Sequence, residues 1–507
     1  MATWHKQLAG QTAIYGISSV IGRFLNYLLV PLYLHVFKPD EYGVVTEFYA
    51  YVIVLQIILT YGMETGFFRF SKKHDKPKLV FSTVLTSIFS TSIFFVLILS
   101  FFAKNISSFL GYENNSDYII IFASILALDA ISAIFFANLR VLNKAAKFAL
   151  FKIINILVNI GLNLFFILLC PYLYKNNPSL VNWFYNPNYG VGYIFISNLV
   201  ASGAVFILLS TELKNIKLKF NYKLWKTILI YSLPLLLTGL TGAVNEMADK
   251  LFIKLWTVVP PEVINGHDYV LSQLGIYGAN AKLAVVMMMF VQAFRYAAEP
   301  FFFSFTKNNA DRLKVFADVM KYFVITAFIM FLAVLLNLDI LKHFLGKDYY
   351  SGLNVVFPLF LSRFLVGVFF VLSFWYKLND VTRKAIWIFL SGVVVTVILD
   401  YFLIPKFGYI AAAWTNFSAY FVMVIFSYFW SRSYFKVKYQ YIRLLVYIIL
   451  PIIFYLMSKY IDFSTTFVNL AIKNIFLIIY ILFVMKIERI SISQIKLLVQ
   501  KITKKNK

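Results

Sequence analysis

Long apolar stretches, separated by short polar breaks, follow one another along almost the whole chain. An α-helix that crosses a membrane needs about 20 mostly apolar residues, and fourteen stretches reach that length. The pattern therefore predicts an all-α polytopic membrane protein whose short connections carry no soluble domain. The predicted spans, numbered 1 to 14, cover roughly residues 10–34, 42–69, 79–103, 118–141, 148–171, 190–211, 227–255, 274–303, 315–338, 351–376, 385–404, 408–431, 441–460 and 465–486.

Composition supports this interpretation. Hydrophobic residues make up 61% and charged residues 14% of the 507 residues, and the mean hydropathy is +0.78. Soluble domains carry roughly 45–50% apolar and about 25% charged residues. The single cysteine, Cys170, excludes an internal disulfide and a cysteine-based metal cluster. The five histidines show no H-x-x-x-H spacing, so the sequence predicts no metal centre and no resident cofactor.

Basic residues are distributed unevenly among the connections. Alternate connections, with the span ends that adjoin them and both termini, hold 33 of the 47 Lys and Arg residues, the intervening connections and their adjoining span ends hold 7, and 7 lie deeper within spans. Because Lys and Arg accumulate in cytoplasmic loops, we expect both termini in the cytoplasm. The net charge of +25 therefore reflects topology, and no nucleic-acid partner is predicted. The basic, amphipathic tail from Lys486 is expected on anionic membrane lipids, with a solvated tail as the alternative.

Two pairs of segments repeat six spans apart. Residues 64–72 and 299–307 both fit E-x-x-F-F-x-F-[S/T]-K, and an aromatic-Gly pair followed by Asn recurs at 189–198 and 407–416. Because six is even, both copies face the same way, and we predict two six-helix lobes related by a pseudo-twofold axis along the membrane normal. Such repeats form a central cleft suited to alternating access, which favours a transporter over an enzyme. The predicted divisions are 1–212 (spans 1–6), 213–432 (spans 7–12) and 433–507 (spans 13 and 14 with the tail).

Charged residues within the spans are candidates for function. A charge at mid-helix costs roughly 2.5–3.5 kcal/mol on insertion scales and usually faces a cavity. Guanidinium groups bind phosphate through a planar fork, so the mid-span basic residues predict a cavity for an anionic substrate, while acids would set its potential or bind a coupling Na⁺ or H⁺. The substrate-binding candidates are Arg23, Lys250, Lys282, Arg295 and Arg363, and the ion-coupling candidates are Glu47, Glu64, Asp129, Glu246, Asp249 and Glu299.

Structural roles stay open for some of these charges. Lys250 follows Glu246 by four residues, and Arg295 precedes Glu299 by four, so each pair could satisfy itself on one helix face. Pro234 predicts a bend in span 7, with or without a gating role. Snorkelling to the membrane surface is the preferred interpretation for three residues toward span ends, namely Lys254, Lys473 and Asp400.

Motifs in chain order resemble the bacterial polysaccharide exporters of the MOP superfamily, which includes Wzx O-antigen flippases, lipid II flippases and MATE drug exporters. The resemblance covers about residues 8–430. The motifs are G-x-x-x-x-Y-G with Arg and Pro across 10–31, D-E-Y-G at 40–43, Y-G-x-E-T-G-F-F-R-F at 61–70, D-K-L-F-I at 249–253, L-G-I-Y-G-A-N-A-K-L-A at 274–284, E-P at 299–300 and I-P-K-F-G-Y-I-A-A-A-W at 404–414.

The resemblance implies a V-shaped transporter in the bacterial cytoplasmic (inner) membrane that flips undecaprenyl-pyrophosphate-linked oligosaccharides. It implies that basic cavity residues bind the pyrophosphate and that a proton or sodium gradient supplies the drive. The expected partners are the lipid-linked oligosaccharide, membrane lipids and other membrane proteins of polysaccharide assembly. Because the chain lacks the dense arginines expected in the first spans of lipid II flippases, O-antigen or capsule units are the preferred cargo.

Two other functions stay open. A membrane glycosyltransferase or polymerase would use carboxylates such as Asp40 and Glu41 in the first outer loop, but helix N-capping explains this pair and no large outer domain is predicted. A MATE-like drug or cation antiporter would have a net acidic cavity, whereas the predicted spans, away from their ends, hold equal numbers of basic and acidic residues. Arg23 and Arg363, near mid-bilayer, favour an anionic ligand, so we predict a flippase and not an enzyme.

Overall fold

Residues 24–214, 218–304, 309–378, 381, 383–434, 436–461 and 466–489 are described by a computed structural model. These ranges contain helices and no β-strand, so the predicted all-α fold is confirmed. Short helices at Ala103–Leu110, Leu338–Leu341 and Phe374–Leu378 join or extend the long ones. The long helices are α1 Leu29–Val36, α2 Pro39–Lys73, α3 Pro77–Phe101, α4 Ser116–Val141, α5 Ala145–Asn176, α6 Gly192–Ser210, α7 Tyr222–Trp256, α8 Gly266–Ser304, α9 Asn309–Leu335, α10 Val356–Leu372, α11 Arg383–Phe407, α12 Tyr409–Ser431, α13 Tyr441–Ser458 and α14 Thr466–Ile487.

Helices α2 to α14 correspond in order to predicted spans 2 to 14. Twelve of the described helices are each long and apolar enough to cross a membrane, and α7 adds a thirteenth when its two segments count as one span. The first predicted span, 10–34, lies mostly outside the described residues. The total of fourteen spans therefore stays a prediction, as does the orientation of the termini.

Three long helices are interrupted. In α7, the segments Tyr222–Pro234 and Gly239–Trp256 meet at 48°, at the proline for which the sequence predicts a bend, because proline lacks an N–H and clashes with the preceding turn. In α2, Tyr61 and Gly62 both have positive φ. In α5, the turn at Phe165–Leu169 is π-helical, a feature that is frequent at functional positions of long helices.

Contacts divide the chain into two compact units. The first contains Met1–Ala279, Gly346–Ser351 and Ala385–Thr415, and the second contains the remaining residues. The units do not follow the predicted divisions at 212 and 432, since α7 packs against α2 within the first unit. The two lobes inferred from the repeat therefore stay a prediction.

The core of the first unit is aromatic and aliphatic. Phe67, Phe81 and Phe135, from α2, α3 and α4, are each at most 2% exposed. Their rings pack edge to face, with centroids 5.9 Å apart for Phe67 and Phe81 and 5.7 Å apart for Phe81 and Phe135. Lipid tails are as apolar as these side chains, so close packing rather than exclusion of water stabilises such a core in a membrane.

Hydrogen bonds and ion pairs connect α13 and α14 to α9 in the second unit. Glu488, at the end of α14, accepts hydrogen bonds of 2.6 Å from both Lys321 and Tyr447. Burial raises the pKa of the Glu488 carboxyl, but these hydrogen bonds outweigh that effect and the pKa is lowered overall. At the opposite end of α9, Lys473 donates to Asp339 at 2.8 Å. Lys473 therefore forms an ion pair rather than snorkelling as the sequence suggested.

Candidate functional site

A buried ion pair connects α2 with α7 in the first unit. Glu47 is 2% exposed and accepts hydrogen bonds from Tyr51 and Tyr112, each at 2.6 Å, and from Lys254 at 2.5 Å. Lys254 also donates to the Leu110 carbonyl oxygen at 2.8 Å. The prediction that Lys254 snorkels is wrong, because its charge is matched inside the protein by a residue 207 positions away.

Lys254→Met is expected to destabilise the protein by about 3–5 kcal/mol, because it leaves the buried Glu47 carboxylate without its counter-charge. Adding Glu47→Gln should recover most of the loss, since the amide oxygen accepts from one tyrosine and the amide N–H can donate to the hydroxyl oxygen of the other. Thermal unfolding of the purified protein measures both effects. Lys175→Met, at an exposed lysine, is the matched control, and equal unfolding temperatures for Lys254→Met and this control would contradict the role of the pair.

A second group of charged residues lies on α7, four to five residues before Lys254. Asp249 is 1% exposed, accepts a hydrogen bond from the Tyr277 hydroxyl of α8, and pairs with Lys250 at 3.0 Å. The Lys250 amine also donates to the Glu246 carbonyl oxygen at 2.9 Å. Lys250, a substrate-binding candidate, therefore pairs with the carboxylate of Asp249, an ion-coupling candidate. Its contact with Glu246 is to the backbone carbonyl oxygen.

Asp400, on α11, is fully buried at 0% exposure, so the snorkelling interpretation is wrong for this residue as well. Within the described part of the chain, neither carboxylate oxygen has a hydrogen-bond partner, and the Thr415 hydroxyl of α12 approaches without hydrogen-bond geometry. Asp249 lies close enough to interact with Asp400 electrostatically. One turn away, Thr396 donates to the Asn245 side-chain oxygen at 3.1 Å. Helices α7 and α11 thus face each other through two polar pairs.

The carboxylate pair, Asp249 and Asp400, forms a candidate site for a proton or a small cation. An uncompensated charge buried away from water is costly, and the oxygen atoms that surround Asp400 are the ligand type that hard cations prefer. No group of three or more His, Cys, Asp or Glu side chains among the described residues is placed to hold a metal ion. Two carboxylates with one hydroxyl beside them are groups that can hold a proton or a monovalent cation.

Asp129 occupies a different environment, in the middle of α4. It is exposed, although most residues of α4 are buried, so it faces open space within the helix bundle. Ser202 of α6 donates to Asp129 at 2.8 Å, and Lys152 is an electrostatic neighbour. Nearby, the Asn198 amide of α6 donates to the Tyr49 hydroxyl of α2 at 2.8 Å.

The basic candidates of the second unit lie on α8 and α10. Arg295 is exposed, with its guanidinium 5.6 Å from the ring centroid of Phe370, and Arg363 is half-buried. Arg363 and Phe370 are seven residues apart, so they share one face of α10 with a rise of about 10 Å between them. Gly367, on that same face, approaches Val291 of α8 so closely that a Cβ would lie 2.9 Å from it. Lys282, on α8, is half-buried.

The remaining candidates have separate surroundings. Glu64 forms an ion pair with Arg140 of α4. The side chain of Glu299 and the whole of Arg23 lie outside the described residues. Glu41 accepts a hydrogen bond of 2.9 Å from the backbone N–H of Lys38 at the start of α2, which is the helix-capping role weighed for Asp40 and Glu41 in the sequence.

Glycines bring α2 and α8 into close contact in the first unit. A Cβ at Gly43 would overlap the carbonyl oxygen of Leu271, and a Cβ at Gly275 would overlap that of Pro39. A Cβ at Gly275 would also lie 2.9 Å from the Gly43 backbone nitrogen. Gly43 follows Tyr42, and Gly275 lies two residues before Tyr277, so in both α2 and α8, six spans apart, a glycine next to this tyrosine motif marks the crossing.

Two cavities of the first unit surround this crossing and resemble each other. One, of about 260 Å³, is lined by Gly190 and Glu41, and the other, of about 730 Å³, by Gly408 and Gln273. Both glycines have positive φ, +51° and +57°. A Cβ on each would lie 3.5 Å from Glu41 Oε1 or 3.7 Å from Gln273 Oε1. Glu41 lies two residues before Gly43, and Gln273 lies two residues before Gly275. The similarity between the two repeats therefore includes residues that line these cavities.

Sequence reasoning missed the surroundings of Asp400. Thr396 and Asp400 are four residues apart in an apolar span, so they share one helix face, and this spacing could have suggested a buried polar stripe. Asn198 was noticed in the repeat, but its partner Tyr49 is 149 residues away. No local pattern identifies such a partner.

No protein-family model and no curated protein matches the sequence, but solved structures match the fold. The lipid II flippase MurJ, in an inward closed conformation, superposes with a TM-score of 0.68 at 15% identity, covering 93% of this chain and 98% of that chain. The chain has the fold of the MOP transporters. An inward-facing MATE multidrug transporter of the MOP superfamily gives a TM-score of 0.55 at 14% identity, covering 81% and 94%. The MATE multidrug transporter DinF-BH gives 0.54 at 16% identity, covering 85% and 97%.

These structures are flippases and transporters rather than enzymes. That agrees with the prediction of a non-enzymatic membrane protein. It also agrees with the sequence resemblance at the level of the superfamily fold.

Proposed function

We propose that this protein is a flippase that moves undecaprenyl-pyrophosphate-linked oligosaccharides, of the O-antigen or capsule type, across the bacterial cytoplasmic membrane by alternating access. The observation that carries the proposal is Arg295. This arginine is exposed within a long apolar helix, and charged residues within membrane helices usually mark substrate or ion pathways.

The second unit offers this arginine a neighbour for the same ligand. Arg363 lies about 10 Å along α10 from Phe370, the residue beneath the Arg295 guanidinium. In this proposal, one diphosphate group binds to both guanidinium groups. Two forked guanidinium groups would match the several oxygen atoms of a pyrophosphate, whereas a cationic drug would be repelled by them.

The fold comparison favours the flippase over the drug antiporter. The MurJ superposition covers 93% of this chain, whereas the two MATE superpositions cover 81% and 85%. MurJ is a lipid II flippase. The proposal of a lipid-linked anionic cargo for this chain combines that fold with the arginines of α8 and α10.

We further propose that a cation gradient drives the transport through the carboxylate pair, Asp249 and Asp400. The coupling ion would be H⁺ or Na⁺, held by the Asp400 carboxylate with the Thr415 hydroxyl beside it. A bound cation neutralises charge at this buried position and so stabilises the packing of α7 against α11. The ion would thereby favour one conformation over another.

Deletion of the gene is expected to leave complete undecaprenyl-linked oligosaccharides on the cytoplasmic leaflet. Extraction and mass analysis of these lipids, with a leaflet-specific label, measures the effect. Complementation with Arg363→Glu should fail, since it places a negative charge against the pyrophosphate. Lys175→Met is the control and should restore export.

Two results would overturn the proposal. Normal surface glycan in the deletion strain, with hypersensitivity to cationic drugs, would favour the MATE-like antiporter instead. Full complementation by Arg363→Glu, with the protein present at normal amount in the membrane, would remove the arginine from the site.

A further inference from the structure

Besides the ion pairs described above, the first unit contains a group of polar side chains that are mostly uncharged. Tyr33 of α1 donates to Asn163 Oδ1 of α5 at 2.9 Å. The Asn163 amide lies 3.1 Å from Asn159 Oδ1, and the Asn159 amide donates to Asn26 Oδ1 at 3.3 Å. These hydrogen bonds thus connect Asn26 and Tyr33, seven residues apart, with one turn of α5.

This series of amides continues toward α4 and α6. Tyr33 is an electrostatic neighbour of Tyr49, and Tyr49 is a neighbour of Asp129. Tyr49 accepts a hydrogen bond from the Asn198 amide at 2.8 Å. We call the exposed and half-buried members of this set the amide surface: Asn26, Tyr49, Asp129, Asn159 and Asn198.

The amide surface faces space rather than packed protein. Asn26 and Asp129 are exposed, and the other three members are half-buried. Asn163 and Tyr33, which stand behind them, are buried. Asn163 accepts from Tyr33 and donates to Asn159 Oδ1, so this buried pair orients the Asn159 amide.

Its free hydrogen-bonding groups are of both kinds. Within the described part of the chain, Asn198 Oδ1 and Asp129 Oδ2 have no hydrogen-bond partner, and Tyr49 uses its oxygen as an acceptor while its O–H stays available to donate. Lys152 lies near Asp129, so the local charge is close to balanced. A ligand here meets donors and acceptors at little net charge.

We propose that the amide surface binds the sugar part of the lipid-linked cargo and selects it by its hydroxyl groups. This inference rests on the proposed function. A hydroxyl both donates and accepts hydrogen bonds, as this surface requires, whereas a phosphate group only accepts them and leaves Asn198 Oδ1 and Asp129 Oδ2 without a donor. The amide surface thereby determines which glycan is accepted.

The test measures binding of two probes to the purified full-length protein in lipid nanodiscs. One probe is undecaprenyl pyrophosphate, and the other is the lipid-linked oligosaccharide extracted from the deletion strain. The double variant Tyr49→Phe/Asn198→Ala should bind the oligosaccharide lipid at least about tenfold more weakly, because two hydrogen bonds are lost. Its affinity for undecaprenyl pyrophosphate should stay at the wild-type value.

Ser124→Ala is the matched control, since this α4 hydroxyl donates only to the Ile120 carbonyl oxygen of its own helix. If the double variant fails to fold, Tyr49→Phe alone keeps the ring and removes only the hydroxyl. Equal affinities of wild type and variant for the oligosaccharide lipid would overturn the inference while leaving the flippase proposal intact. An equal loss for both probes would overturn it too, because the surface would not be reading the sugar. Failure of the wild type to bind either probe would instead overturn the proposed function.

Discussion

Gly275→Val is expected to abolish export while the protein remains folded in the membrane. A Cβ at Gly275 would overlap the carbonyl oxygen of Pro39 at the start of α2. A backbone atom cannot rotate away from such an overlap, so α2 and α8 must separate at their crossing. Overpacking of this kind costs up to about 3 kcal/mol, which corresponds to about a hundredfold change in the population of the crossed conformation.

The consequence for transport follows from the position of the crossing. Alternating access requires at least two arrangements of the repeats, and the contact of Gly43 with Gly275 joins the same motif from both repeats. A protein that cannot form this contact is expected to remain in the arrangement in which it is open. Cargo could then bind on one side but not be released on the other.

A cysteine at Leu271 can report the separation. Leu271 is 4% exposed, and its carbonyl oxygen is the atom that a Cβ at Gly43 would overlap. In a Cys170→Ser background, Leu271→Cys should react slowly with a maleimide in membrane fragments and quickly when Gly275→Val is added. Gly203→Val is the control, because a Cβ at Gly203 has no neighbour within 4 Å. Slow labelling and normal export with Gly275→Val would mean that the crossing does not open.

The spans could be predicted from the sequence because hydropathy is a local property. Each of α2 to α14 begins and ends near a polar break, and the bend at Pro234 follows from the covalent structure of one residue. The capping role of Glu41 also lies within one helical turn. These features depend on neighbours in the sequence, so no knowledge of the tertiary structure was needed.

The site could be predicted only in part, because hydropathy does not show what surrounds a residue within a span. Sequence cannot tell whether a polar residue within a span faces lipid, a cavity or another helix. Lys254 and Asp400 seemed to lie near the membrane surface, yet one pairs with Glu47 and the other is fully buried. Asp129 was chosen as a charge within a span, and only the structure shows its exposure amid a buried helix.

Asp400→Asn is expected to uncouple transport from the ion gradient and to slow export by about 10- to 100-fold, the range typical of a coupling free energy between two sites. The amide keeps the shape of the carboxyl group but removes the buried negative charge. The protein then has less need of a cation at the site formed with Asp249, and the ion no longer distinguishes between conformations. Unlike the loss of Lys254, this change should not destabilise the protein, because it removes an uncompensated charge instead of creating one.

Thermal unfolding of the purified protein identifies the ion. A ligand at 100 times its dissociation constant stabilises the state that binds it by about 2.7 kcal/mol, so the coupling ion should raise the unfolding temperature of the wild type and leave Asp400→Asn unchanged. If Na⁺ raises the unfolding temperature and choline does not, the coupling ion is sodium. If only pH changes the unfolding temperature, the coupling ion is a proton. Asp339→Asn is the matched control, because that carboxylate already pairs with Lys473 and Lys342; it should keep the wild-type response to the ion. If wild type and Asp400→Asn respond alike to both ions, the carboxylate pair is not the coupling site, and the exposed carboxylate of Asp129 becomes the acid to test next.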